Sequence, residues 1–211
     1  MNYRAIFSLL FFSVYCFSYP PEFYLKNRHP INSHRYSTFH QALQLLTERN
    51  AKVVVETGTS RFGSNGFIGD GGSTIIFGDW ACHNSALLYT VDISSSNMDQ
   101  SKNASTPYSN NIRYIVSDSI SFLKSFPEKI DFLYLDSYDY EVGNPHPSQN
   151  HHLKEIQAAY PNLHDNSVVM IDDCSLPKGG KGFLVIPYLI ERGWKIIANS
   201  YQVILVKETS Q

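Results

Sequence analysis

At 211 residues the chain is long enough for one domain with a full core and too short for two ordinary domains plus a linker. With 43% hydrophobic residues, 17% charged residues and a net charge of -2, it is neither a disordered chain nor one that charge would draw to nucleic acid. The 14 Tyr and 13 Phe suit a packed sheet and an apolar cleft equally, so they separate no function classes.

Residues 5–18 are apolar and aromatic without a charge, Arg4 precedes them, and Tyr19-Pro20-Pro21 ends the run. This is the pattern of a secretory signal peptide, with Cys16 and Ser18 as small residues before a cut. A membrane anchor is the alternative, although the run is shorter than the roughly 20 apolar residues of a spanning helix. The chain therefore divides into a signal peptide or anchor over 1–18, an N-terminal extension over 19–37, and one domain over 38–208. Cys82 and Cys174 form neither a CxxC nor a zinc-ligand spacing and read as buried free thiols.

Along the domain, Phe39, Ala42, Leu43 and Leu46 recur at helical spacing over 38–49. The β-branched run 52–56 predicts a buried parallel strand that ends at Glu56 and Gly58. Helix and strand then alternate: a helix over 73–82, strands over 87–92 and 111–116, a helix over 120–126, and a strand over 130–136. A helix over 148–160, a strand over 167–172, a helix over 183–192 and two strands over 194–198 and 201–207 complete the chain, the last two joined by the turn pair Asn199-Ser200. Such alternation predicts an α/β, doubly wound, mostly parallel sheet of about seven strands with a closing antiparallel hairpin strand.

Ligands of open parallel sheets bind where the loops leave the carboxyl ends of the strands. Here all five parallel strands end in, or are followed by, a carboxylate: Glu56, Asp92, Asp118 with Ser119, Asp136, and Asp172-Asp173. One or two would read as helix caps or turns. Five on one edge point to a site. A glycine loop after the first strand lets backbone N–H groups approach a ligand at a helix N-terminus, and Asp92 after the second is placed to accept bonds from ribose hydroxyls. Together they specify an adenosine-type cofactor.

The successive segments Val53-Val-Val-Glu-Thr-Gly-Thr-Ser60, Tyr89-Thr-Val-Asp-Ile93, Ser117-Asp-Ser119, Phe132-Leu-Tyr-Leu-Asp-Ser137 and Val168-Val-Met-Ile-Asp-Asp173 resemble the motifs of class I S-adenosylmethionine-dependent methyltransferases. The subgroup most similar is the cephalosporin hydroxylase-like and catechol O-methyltransferase-like one. The resemblance implies a Rossmann-like fold and a cofactor site of Glu56, Gly58, Thr59, Ser60, Gly72, Ser73, Asp92, Asp118 and Ser119. It implies Asp136 facing the methyl group, and in metal-dependent members Mg2+ on the residues matching Asp136, Asp172 and Asp173. Two stretches depart from the pattern. The loop 61–72 is longer than usual before Ser73-Thr74, which reads as the opening of its helix because Ser and Thr can cap it. The second, 136–152, is rich in His and Asp, and His152, inside a helix, is expected to face Asp136 across the cleft.

Methyl transfer from a sulfonium needs alignment more than covalent catalysis. The expected reaction is methylation of a small-molecule hydroxyl, with His152 or Asp139 taking the proton. An NAD-dependent oxidoreductase fits less well, because Gly58 to Gly63 reads GTSRFG and not GxGxxG. A non-catalytic, exported binding protein on the same fold is the other alternative, motivated by residues 1–18: the methyl donor is a cytosolic metabolite.

Overall fold

The computed structural model describes residues 19–207. The segment 1–18, read above as a signal peptide or anchor, lies outside the described residues. Among those described, no helix is long and apolar enough to cross a membrane.

Seven strands form one sheet in the order β3-β2-β1-β4-β5-β7-β6. They are β1 (Val53–Thr57), β2 (Leu87–Asp92), β3 (Ile112–Val116), β4 (Ile130–Leu135), β5 (Leu163–Ile171), β6 (Trp194–Asn199) and β7 (Val203–Lys207). The first five are parallel; β7 runs antiparallel to both β5 and β6, so the final hairpin inserts its second strand beside β5. The topology is doubly wound and Rossmann-like, with the chain order reversing between β1 and β4.

Both faces of the sheet are covered, as continuous apolar strands require. On one side α1 (Pro21–Leu25), α2 (Tyr36–Glu48) and α3 (Ser73–Asn84) pack Tyr24, Leu25, Phe39, Leu43, Phe77 and Trp80 against Val54, Phe132 and Met170. On the other, α5 (Ser119–Ser125), α6 (His146–Ala159) and α7 (Val185–Ile190) pack Leu123, Ile156 and Leu189 against Val55, Leu133, Val169 and Leu205. Alternate residues of each strand thus feed opposite cores.

Three local readings change. A helix, α4 (Ser95–Ala104), stands between β2 and β3 where apolar periodicity gave none. It buries only Met98 and Ser101, and Ser94 caps it by accepting the Asn97 N–H. A helix anchored by one apolar side chain leaves no hydrophobic stripe to read. β5 begins at Leu163 rather than 167, because Leu163 pairs with Ile130 across a register shift. Cys82 is exposed and Cys174 half-buried, both free.

Candidate active site

The glycine loop is held by a buried hydroxyl network around Glu56. At the inner end of β1 this carboxylate is fully buried and accepts bonds from Ser73, from Thr74 Oγ1 at 2.7 Å and from Thr90 Oγ1 at 2.8 Å. Burial pushes its pKa from 4.5 up to about 7, against the pull of these three hydroxyls. Thr59 Oγ1 extends the network to Ser101 on α4 at 2.7 Å. Loop and helix also cap each other: Ser60 Oγ accepts the Thr74 N–H at 3.2 Å and Thr74 Oγ1 accepts the Ser60 N–H at 3.0 Å. The residue capping α3 is therefore Gly72, in the left-handed region at φ +61°, and not Ser73 or Thr74. Their hydroxyls are turned inward to Glu56, and the orphan helix N–H is satisfied from across the loop. Of the residues expected at the cofactor, Glu56 and Ser73 lie buried behind the loop, and Ser60 and Gly72 are buried positions of the loop itself.

In front of the loop, two adjoining cavities follow the carboxyl edge of the sheet. One of about 310 Å³ is lined by Gly58, Asp92, Ile93, Asp118, Ser119, Tyr138 and His151, among others. The other, about 200 Å³, is lined by Gly58, Thr59, Arg61, Asp70, Asp92, Asp136 and Asp139, among others. Gly58 sits at their junction with φ +82°, and a Cβ there would lie 2.5 Å from the Asp136 carbonyl oxygen. Only glycine lets β1 turn this close to β4. Asp92 Oδ1 accepts the Ser94 N–H at 2.7 Å, which fixes the carboxylate and leaves Oδ2 without a protein partner among the described residues. Asp118 caps α5, and its bond from Ser121 holds its carboxyl below the usual range.

The three aspartates at the ends of β4 and β5 come together, with ligand oxygens of Asp136, Asp172 and Asp173 within 4.8 Å of one another. Each is matched by a cation. Arg35, from the segment before α2, grips Asp172 with Nε to Oδ1 at 3.3 Å and Nη2 to Oδ2 at 2.9 Å, and both side chains are almost fully buried. Burial disfavours the guanidinium charge, but Asp172 more than offsets this and raises the Arg35 pKa. Lys181, only 2% exposed, bridges Asp136 Oδ1 and Asp173 Oδ2, the latter at 3.1 Å. Tyr201 donates to the other Asp173 oxygen. Burial raises the Asp136 carboxyl, against the opposing charge of Lys181; Asp172 and Asp173 add to the rise.

The two neighbouring histidines of α6 have different surroundings. His152 is fully buried; its Nδ1 lies 2.7 Å from the Ser148 carbonyl, and its Nε2 faces Glu155 Oε2 at 3.9 Å, both unpartnered. Burial lowers its pKa from 6.5 to about 4. It is buried on the inward stripe of α6 with Ser148, Gln149, Glu155 and Ile156, and lines neither of the two cavities. His151 lines the larger cavity instead, its Nε2 at 3.1 Å from Ser119 Oγ and its ring 5.3 Å from Tyr138. Sequence reasoning also missed Arg35 and Lys181. The signal for Lys181 was a lysine set between glycines in Pro177-Lys-Gly-Gly-Lys-Gly182; none marked Arg35, 137 residues from its partner.

A family model described as a methyltransferase domain matches residues 67–174, half of the chain. The chain belongs to this family. Fold and family together make it a class I, S-adenosylmethionine-dependent methyltransferase. Solved structures agree on the fold at low identity. A methyltransferase from Geobacter sulfurreducens is 12% identical with a TM-score of 0.59, covering 87% of this methyltransferase and 81% of that chain. An O-methyltransferase from Bacillus cereus, in complex with S-adenosylhomocysteine, is 16% identical with a TM-score of 0.53 and 78% of each chain covered. The methyltransferase MycE, solved with Mg, S-adenosylhomocysteine and mycinamycin VI, is 15% identical with a TM-score of 0.60, covering 90% of this methyltransferase and 54% of that chain. No curated protein matches the sequence.

Proposed function

We propose that this methyltransferase moves the methyl group of S-adenosylmethionine to a hydroxyl of a small molecule. The observation that carries the reading is the pair of joined cavities meeting at Gly58 and Asp92. In this reading the adenine lies in the larger cavity by Asp118 and Ser119, and the ribose hydroxyls donate to the free oxygen of Asp92. The methionine portion passes Gly58 and Thr59, and the methyl group points toward Asp136. The cluster of carboxylates in the smaller cavity suits a sulfonium, and Asp136 is placed to accept the hydrogen bond of an acceptor hydroxyl.

A small acceptor is favoured over nucleic acid by the net charge of -2. A hydroxyl acceptor is favoured by likeness to an O-methyltransferase fold and by the carboxylates that could receive its proton. His151 and Asp139, at the rim, are the other groups within the cavities that could take part.

Calorimetry with S-adenosylhomocysteine on wild type and Asp92→Asn, which can keep an oxygen on the Ser94 N–H, tests the cofactor assignment. Binding that the variant loses supports it, whereas binding of NAD without S-adenosylhomocysteine would overturn it. Sequencing the mature N-terminus tests the signal-peptide reading of residues 1–18. Cleavage near Ser18 with the protein recovered only outside the cell would count against methyl transfer.

A further inference from the structure

Three converging carboxylates are the donor set that a hard divalent cation such as Mg2+ takes. The residues here do not fit an open site of that kind. Among the described residues, five of the six carboxylate oxygens of Asp136, Asp172 and Asp173 already have donors: Arg35 on both oxygens of Asp172, Lys181 on Asp136 and Asp173, and Tyr201 on Asp173. Only Asp136 Oδ2 has none. Three carboxyl groups stand against two cations, a formal balance of about -1. A divalent ion held by all three would have to displace Arg35 from Asp172 and either Lys181 or Tyr201 from Asp173.

We infer that Lys181 is the resident cation of this site, occupying the place of a metal, and that it is a positioning residue that fixes Asp136 so that Oδ2 faces the acceptor. The backbone before it is built for this placement. Lys178, Gly179 and Gly180 have φ of 63°, 85° and 56° in succession, returning the chain beneath the end of β5. At Gly180 a Cβ would lie 1.8 Å from the Asp173 carbonyl oxygen, so no other residue fits. Lys181 N–H then donates to that same carbonyl at 3.4 Å, and its side chain runs inward to the carboxylates. A lysine serving only solubility would not be 2% exposed behind such a turn. The orientation of the acceptor rests on the methyl-transfer reading; the exclusion of a metal does not.

Mn2+ titrated into the full chain and followed by electron paramagnetic resonance tests the inference, with wild type and Lys181→Met compared. Wild type is expected to bind no Mn2+ up to about 1 mM, and the variant, with its carboxylates uncovered, to bind at least about tenfold more tightly. Wild-type binding in the micromolar range that Mg2+ competes away would overturn the inference, as would a folded Lys181→Met with unchanged affinity. Should the variant fail to fold, thermal unfolding of wild type with and without Mg2+ decides. An unshifted midpoint supports a resident lysine, and a midpoint rising with Mg2+ overturns it. S-adenosylhomocysteine titrated into the same wild-type sample separates the two readings, since its failure to bind removes the cofactor assignment and leaves the Mn2+ result intact.

Discussion

Glu56 and Asp172 occupy equivalent places, each a buried carboxylate at the carboxyl end of a parallel strand, yet they are accommodated in opposite ways. Around Glu56 the partners are three neutral hydroxyls, and burial prevails enough to lift its pKa to about 7. Around Asp172 the partner is a guanidinium that engages both oxygens. Hydroxyls can hold a carboxyl in either protonation state and tie loop, helix and neighbouring strand together. A cation holds it in one state and gives the site a fixed charge. The half of the sheet that shapes the cofactor loop uses the first device, and the half near the expected acceptor uses the second.

The largest effect expected from this difference is at Arg35. Arg35→Ala leaves Asp172 charged and buried without a partner, and should cost about 3–5 kcal/mol of stability in urea unfolding. Arg35→Lys should recover only part of it, because one ammonium cannot reproduce the two-oxygen grip. A loss under about 1 kcal/mol would mean that Asp172 is solvated or protonated, and the contrast with Glu56 would fail.

Glu56 should instead show itself through pH. Its carboxyl holds a proton in the folded protein up to about pH 7, whereas the unfolded chain loses it near 4.5. Between these values the folded state binds more protons, so this group makes stability fall as pH rises, by about 3 kcal/mol in all. His152 has the opposite sign. Its folded pKa of about 4 lies below 6.5, so the unfolded chain binds more protons in that window and stability rises with pH. Glu56→Gln removes the first contribution and exposes the second. Its stability relative to wild type should therefore improve steadily from pH 4.5 to 7 in denaturant titrations. A difference that stays constant over that range would show that Glu56 is ionised throughout.

Much of this division was legible in the sequence and part was not, for reasons that follow chain distance. Strand ends are local features: apolar runs stopping at Glu56, Asp92, Asp136 and Asp172 located the edge of the sheet, and Gly58 followed from the tight turn. Which groups surround those carboxylates is not local. Thr90 reaches Glu56 from β2, and Arg35 meets Asp172 across nearly the whole domain. That His152 turns inward while His151 lines the larger cavity follows helical phase, which the polar sequence of α6 only weakly marks. The stretched loop 61–72 hid that Gly72, not the hydroxyl residues after it, caps α3.

Gly58 links the two devices, since it carries the loop held by Glu56 directly against the backbone of Asp136. Gly58→Ala puts a Cβ 2.5 Å from that carbonyl at a φ that L-residues disfavour, and should cost at least about 2 kcal/mol. It should also abolish S-adenosylhomocysteine binding, because β1 and β4 must separate at the junction of the two cavities. Retained binding with full stability would place the cofactor elsewhere.

The smallest expected effect is the most selective. The proposed role of Asp92 divides over its two oxygens: Oδ1 takes the Ser94 N–H and so helps open α4, while Oδ2 is the one proposed for the ribose. Asp92→Ala removes both, so a loss of binding in that variant could come from the loop alone. Asp92→Asn can keep a carbonyl oxygen on Ser94 and replaces the free carboxylate oxygen with an amide nitrogen, a donor where the ribose hydroxyls need an acceptor. Unfolding stability should then stay within about 0.5 kcal/mol of wild type, while affinity for S-adenosylhomocysteine falls by about 1.5 kcal/mol, roughly tenfold. If the Asn variant binds as wild type does and only the Ala variant fails, Asp92 belongs with Glu56 among the residues that build the loop, and the ribose contact must be sought on another side chain of the larger cavity.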